Sequence, residues 1–88
     1  MGKKMEEKFT LDDLTTIKDI LLMAIEREKN SYEFYMEALY RATTEAEKEM
    51  FERLAIQEKG HQEQLQRLLE EVEARILTDR AISGGDIG

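Results

Sequence analysis

Two apolar stripes, each running at helical spacing for about thirty residues with no proline, constrain this 88-residue chain more than anything else in it. The first reads Leu14, Ile17, Leu21, Ala24, then position 28, Ser31, Tyr35, Ala38 and Ala42, widened by Ile25, Tyr32 and Leu39. The second reads Phe51, Leu54, then positions 58 and 61, Leu65, Leu68 and Val72, flanked by Ala55, Gln62, Leu69 and Ile76. Steps of three and four put such residues on one face of an α-helix. Charged residues at 38% and hydrophobic residues at 41% suit long amphipathic helices.

The boundaries follow from capping chemistry. Thr10 with Asp13 makes a capping box, and Phe9 with Leu14 a hydrophobic staple. They predict a first helix over about 11–42. Thr44 with Glu47 makes a second box and predicts a second helix over about 44–77, with a tight turn around Arg41 to Thr44. The expected division is a helical hairpin over 1–78 and a flexible tail over 79–88, where Ser83-Gly84-Gly85-Asp86 lies. Two amphipathic helices bury only one side of each stripe, whereas two hairpins bury all four stripes. The expected fold is therefore all-α: a long antiparallel hairpin that dimerises into a four-helix bundle.

Other classes fall away. A net charge of −7 repels nucleic acid and anionic lipid. No stretch approaches the roughly 18 apolar residues of a membrane span. Met1 to Phe9 shows no apolar segment of a secretory signal, and Glu6 stands where a myristoylation site after Met1-Gly2 has Ser or Thr. Cysteine is absent, which excludes disulfides, thiolate metal sites and cysteine nucleophiles. A cytoplasmic protein is expected.

Mid-length, each stripe is broken by residues that a core does not accept: Glu28 in the first, Glu58 and His61 in the second. Buried carboxylates persist when paired or bound to metal. The three lie about 15.5, 14.5 and 17.5 residues from a turn centred near 43.5, close to one height at about 1.5 Å per residue. Glu58 and His61, three residues apart, share a helix face. A second hairpin related by a two-fold axis would bring the total to four Glu and two His. That is the ligand set of di-iron and di-manganese carboxylate bundles. Such mixed ligands suit iron or manganese better than calcium. The same spacing also allows a metal-free structural pair between His61 and Glu28. In that case the chain is a helical oligomerisation or interaction module. Tyr35, two turns after Glu28, is placed either to hydrogen-bond a ligand carboxylate or to pack as core. Tyr32, one turn from Glu28, is placed to line the pocket or, more commonly for such a residue, to pack as core, and Gly60 has no evident reason to be glycine beyond allowing close approach of another helix.

The runs Ala24-Ile25-Glu26-Arg27-Glu28-Lys29-Asn30-Ser31-Tyr32-Glu33-Phe34-Tyr35 and Leu54-Ala55-Ile56-Gln57-Glu58-Lys59-Gly60-His61 resemble the two ligand helices of rubrerythrin-type ferritin-like proteins. The resemblance covers about Leu11 to Val72. It implies Glu28, Glu58 and His61 as iron ligands, with manganese or zinc as substitutes, and Tyr35 as a partner of the ligand shell. It implies oxidation of Fe(II) by oxygen or peroxide, as a ferroxidase or a peroxidase. Rubrerythrins carry two helix pairs per chain and this chain carries one, as do the encapsulated ferritins, whose di-iron centre is completed at a dimer interface. Two irons per dimer, one per chain, are implied. Arg27 and Asn30 stand where the encapsulated branch has extra acids, and Thr78 to Gly88 shows no recognisable shell-targeting peptide. The resemblance thus leaves two locations, the cytoplasm at large or a nanocompartment within it. The rubredoxin domain of full rubrerythrins is missing, so a peroxidase cycle would draw electrons from a separate reductase.

Overall fold

The computed structural model describes residues 10–85, with side chains through Ile82. Two helices account for almost all of it: α1, Leu11–Arg41, and α2, Glu45–Gly85, packed antiparallel as a hairpin with no strand among the described residues. The first begins as its sequence dictates. Thr10 Oγ1 accepts from the Asp13 amide, and the Asp13 carboxylate accepts from the Thr10 amide, both at 3.1 Å. Two N–H groups that a helix start leaves unpaired are thereby satisfied. Arg41 closes the last turn, donating through Nε to Glu37 at 2.6 Å. Its charge suits the helix C-terminus.

The turn needs neither glycine nor proline, because Glu47 organises it. One Glu47 carboxylate oxygen accepts from the amides of Thr43 and Thr44 at 2.9 and 3.3 Å, while Thr44 Oγ1 accepts from the Glu47 amide at 3.1 Å. The Thr43 and Thr44 amides hold the Glu47 carboxyl below the ordinary carboxylate range. The chain reverses over three residues, which fixes the register of α2 on α1 and hence the height of every residue across the seam.

The core is lopsided. Leu14, Leu21, Leu69, Val72 and Ile76 are buried together at the open end, with Ile17, Ile25 and Leu65 against them. Toward the turn only Ala55 is fully buried. No polar or charged side chain among the described residues is fully buried. The hairpin is 14 Å through its thinnest dimension, which is one helix deep.

The second helix departs from expectation. It runs through Gly85 instead of ending near Leu77, so helix occupies 78–85, where a flexible tail over 79–88 was expected. Nothing in that stretch stops a helix. Ile76 anchors it at 6% exposure, and Thr78 Oγ1 donates back to the Ala74 carbonyl at 2.9 Å. Glycine weakens a helix by about 1 kcal/mol relative to alanine without blocking helical torsions, so Gly84 and Gly85 weaken this end without terminating it. Phe9 of the expected staple and residues 86–88 lie outside the described residues.

Packing sets the expected response to substitution. Leu14 is 1% exposed, so Leu14→Ala should cost about 2–5 kcal/mol in thermal or urea unfolding. Leu77, 66% exposed on the same seam's rim, should tolerate Ala within about 0.5 kcal/mol. A Cβ built at Gly60 meets nothing within 4 Å, so nothing within the hairpin requires glycine there. Gly60→Ala should stabilise the hairpin by up to about 1 kcal/mol.

Candidate metal centre

The half-buried stretch between the open-end core and the turn holds Glu28, Glu58 and His61. Glu28 comes from the middle of α1, and Glu58 and His61 from successive turns of α2. The tight turn places them level, and the antiparallel packing turns them toward one another. His61 Nδ1 lies 3.4 Å from Glu28 Oε1 and 3.5 Å from Glu58 Oε1. One ring nitrogen thus faces two carboxylates from different helices. The glutamate side chains are 28% and 18% exposed, and the histidine is 50% exposed.

Electrostatics marks the cluster as short of positive charge. The Glu58 carboxyl is pushed above the ordinary carboxylate range. The main cause is a hydrogen bond shared with the Glu28 carboxylate, followed by burial and repulsion from Glu28, with His61 partly opposing. Two carboxylates close enough to share a proton in this way are a site that a cation would relieve.

The donor set fits a metal. One ligand atom from each of Glu28, Glu58 and His61 can be chosen so that all lie within 4.8 Å of one another. Two donors about 2.1 Å from one ion sit at most about 4.2 Å apart, so a modest contraction closes the group. Carboxylate with imidazole is the donor chemistry of iron, manganese and zinc. Three donors from one chain would make an incomplete shell for such an ion.

The other candidate residues fall around this cluster. Tyr35 is half-buried on the α1 seam with its ring edge-on to Phe34, centroids 5.3 Å apart, and no hydrogen bond among the described residues joins it to the ligands. Tyr32 is half-buried too, but it has a partner that the apolar pattern did not reveal: Lys59 Nζ lies 5.0 Å from its ring centroid. The signal was present in the same level arithmetic, since Tyr32 follows Glu28 by one turn and Lys59 adjoins Glu58.

The hairpin has two distinct flanks. On one, Lys18 pairs with Glu73 at 3.7 Å and Lys59 lies over Tyr32. Residues two positions on project about 200° further around a helix. Ile20, Phe34 and His61 therefore point to the opposite flank, where Met50 and Leu68 share the strip of His61 on α2. Ile20, Phe34, Met50 and Leu68 are 58%, 66%, 53% and 48% exposed. Among the described residues nothing covers these side chains, which lie to either side of the histidine, and Leu77 is exposed on the Lys18–Glu73 flank as well.

The family model described as Rubrerythrin matches residues 3–69, a span that includes Glu28, Tyr32, Tyr35, Glu58, Lys59 and His61. No curated protein and no solved structure gives a significant match.

The raised Glu58 value has a consequence for the metal-free protein. A carboxyl that titrates higher when folded than when unfolded holds its proton more tightly in the native state. Its contribution to stability is complete below the unfolded carboxylate value of about 4.3. That contribution is lost as pH rises through the higher folded value. Glu58→Gln keeps the shape and removes the charge. In thermal melts followed by circular dichroism, metal-free Glu58→Gln should be a few degrees more stable than wild type at pH 7, and the difference should shrink toward pH 4.

Proposed function

Because the chain belongs to the rubrerythrin family, we propose that it is a non-haem di-iron carboxylate protein that oxidises Fe(II) with oxygen or peroxide, as a ferroxidase or a peroxidase. The observation that carries this reading is the convergence of Glu28, Glu58 and His61, from both helices, on a space where the carboxylates lack a counter-charge.

On this reading the centre is completed by a second copy. Each hairpin offers two carboxylates and one imidazole, and two hairpins offer four and two, enough to balance two divalent ions. The exposed apolar flank around His61 supports the pairing, because docking two such flanks buries Ile20, Phe34, Met50 and Leu68 and brings the half-sites face to face. Two irons are held per dimer, one per chain, and manganese or zinc can take their place. A separate reductase returns electrons in a peroxidase cycle, as no cysteine is present in the 88 residues to hold a redox centre of its own. Location in the cytoplasm, at large or inside a nanocompartment, is part of the same proposal. Among the described residues no helix is long and apolar enough to cross a membrane.

The residues divide the work. Paired iron ions supply the electrons that reduce oxygen or peroxide when they are bound. Glu28 and Glu58 would hold them and balance their charge, each with two oxygens to offer. His61 gives the softer donor and fixes one end of the site from α2. Tyr35, two turns after Glu28 on α1, would serve as a hydrogen-bond donor to a ligand carboxylate. The competing reading keeps the His61 contact to Glu28 as a structural pair in a metal-free oligomerisation module, and the observed 3.4 Å contact suits it equally.

Anaerobic Fe(II) titration of the metal-free protein, with mass and absorbance recorded before and after air, separates the two. Saturation near one iron per chain, as two per dimer requires, with a ferric band on oxidation, is the expected result. Glu28→Ala should abolish the binding while leaving the helical signal intact. Binding no greater than that of Glu28→Ala, with an unchanged melting temperature, would leave the interaction module as the better reading.

A further inference from the structure

The contact between Lys59 and Tyr32 lies beside the ligand cluster but contributes no ligand, and nothing so far explains it. Lys59 sits between Glu58 and His61 in sequence, so its side chain leaves α2 on the flank away from His61. Its ammonium lies 5.0 Å from the ring centroid of Tyr32, which stands one turn after Glu28 on α1. The pair therefore bridges the groove between the helices next to the two carboxylates. The exposure pattern agrees: the glutamates are 28% and 18% exposed, whereas His61, on the other flank, is 50% exposed.

We propose that Tyr32 and Lys59 form the outer cover of the metal centre, and that this groove is the controlled route between solvent and the ligands. The proposal rests on the reading above, in which a second hairpin covers the His61 flank. Once that flank is docked, the groove under Lys59 and Tyr32 is the shortest path from solvent to Glu28 and Glu58. The half-buried tyrosine ring supplies an apolar plug of fixed shape. The lysine, on a flexible stem, holds the ring by cation–π attraction and can release it without disturbing either helix. A cation held over the ring also adds positive charge beside a carboxylate pair that lacks it. The cover acts on the rate of exchange and leaves the ligand set alone.

The test uses Co(II), which is stable in air and coloured when bound, followed by extraction with excess chelator. Equilibrium affinity and oligomer mass are measured alongside. A cation–π contact at a partly exposed site is worth enough to change the extraction rate about two- to fivefold. Lys59→Ala and Tyr32→Leu should each speed extraction by that factor, with cobalt still near one per chain and the affinity unchanged once rates of loading are included. Lys59→Arg and Tyr32→Phe, which keep a cation and a ring, should behave as wild type. Wild-type extraction rates in both Lys59→Ala and Tyr32→Leu would overturn the cover while leaving the metal centre standing. Faster extraction explained entirely by weaker equilibrium binding would also overturn it, because the pair would then be positioning ligands. Failure of the wild type to bind cobalt would overturn the metal centre, and the cover with it.

Discussion

The crowding of two carboxylates and an imidazole into the middle of an otherwise apolar seam governs the rest of this molecule. A single glutamate there would be a liability, because a partly buried carboxylate without a partner loses hydration and gains little. Here Glu28, Glu58 and His61 lie close enough to answer one another, with Glu58 pushed toward its protonated form by its neighbour. An apolar replacement would pack at least as well as an ion cluster in a helical seam. The cluster therefore has the marks of something retained for chemistry. The fold supplies stability elsewhere, chiefly through Leu14, Leu21, Leu69, Val72 and Ile76 at the open end.

That division explains the lopsided core. Large aliphatic side chains fill the open end, and the turn end relies on Ala55 and on hydrogen bonds that the Thr43 and Thr44 amides donate to Glu47. The turn contributes little burial, but it sets register. A one-residue slip of α2 would rotate Glu58 and His61 by about 100° and take them off the face of Glu28. The reciprocal bonds between Thr44 and Glu47 are thus part of how the site is positioned, some fifteen residues from it in sequence. The distance matters little, since a continuous helix transmits register as a rigid rod.

Much of this was legible in the residues. The stripes, the two capping boxes and the level of Glu28, Glu58 and His61 all follow from helical spacing, because each rests on repetition along one helix or on simple symmetry about a turn. Two features did not follow from it. The continuation of α2 to Gly85 escaped because glycines were read as a stop, whereas their cost is gradual and nothing else there breaks the helix. The Lys59 contact escaped because charged residues beside an apolar stripe are ordinarily solvated, and only the neighbouring helix shows that this one has a ring beneath it. Tyr35 is a third kind of case: its height and face were readable, but a hydroxyl's partner depends on the last ångström, which periodicity does not supply.

Two-residue offsets organise the chemistry on the hairpin. Lys18 and Ile20, Tyr32 and Phe34, and Lys59 and His61 each send one side chain to either flank. One flank is laced by an ion pair and a cation–π contact, and the other carries exposed Ile20, Phe34, Met50 and Leu68 around the histidine. Glu28 and Glu58 lie between the flanks, in a layer only 14 Å deep. A layer so thin cannot surround a metal with protein by itself. On the proposed reading it offers half a coordination shell and leaves the rest to a second copy. The net charge of −7 works against that partner, since two like-charged hairpins repel. In the proposed dimer a cation at the centre would offset that repulsion by neutralising Glu28 and Glu58.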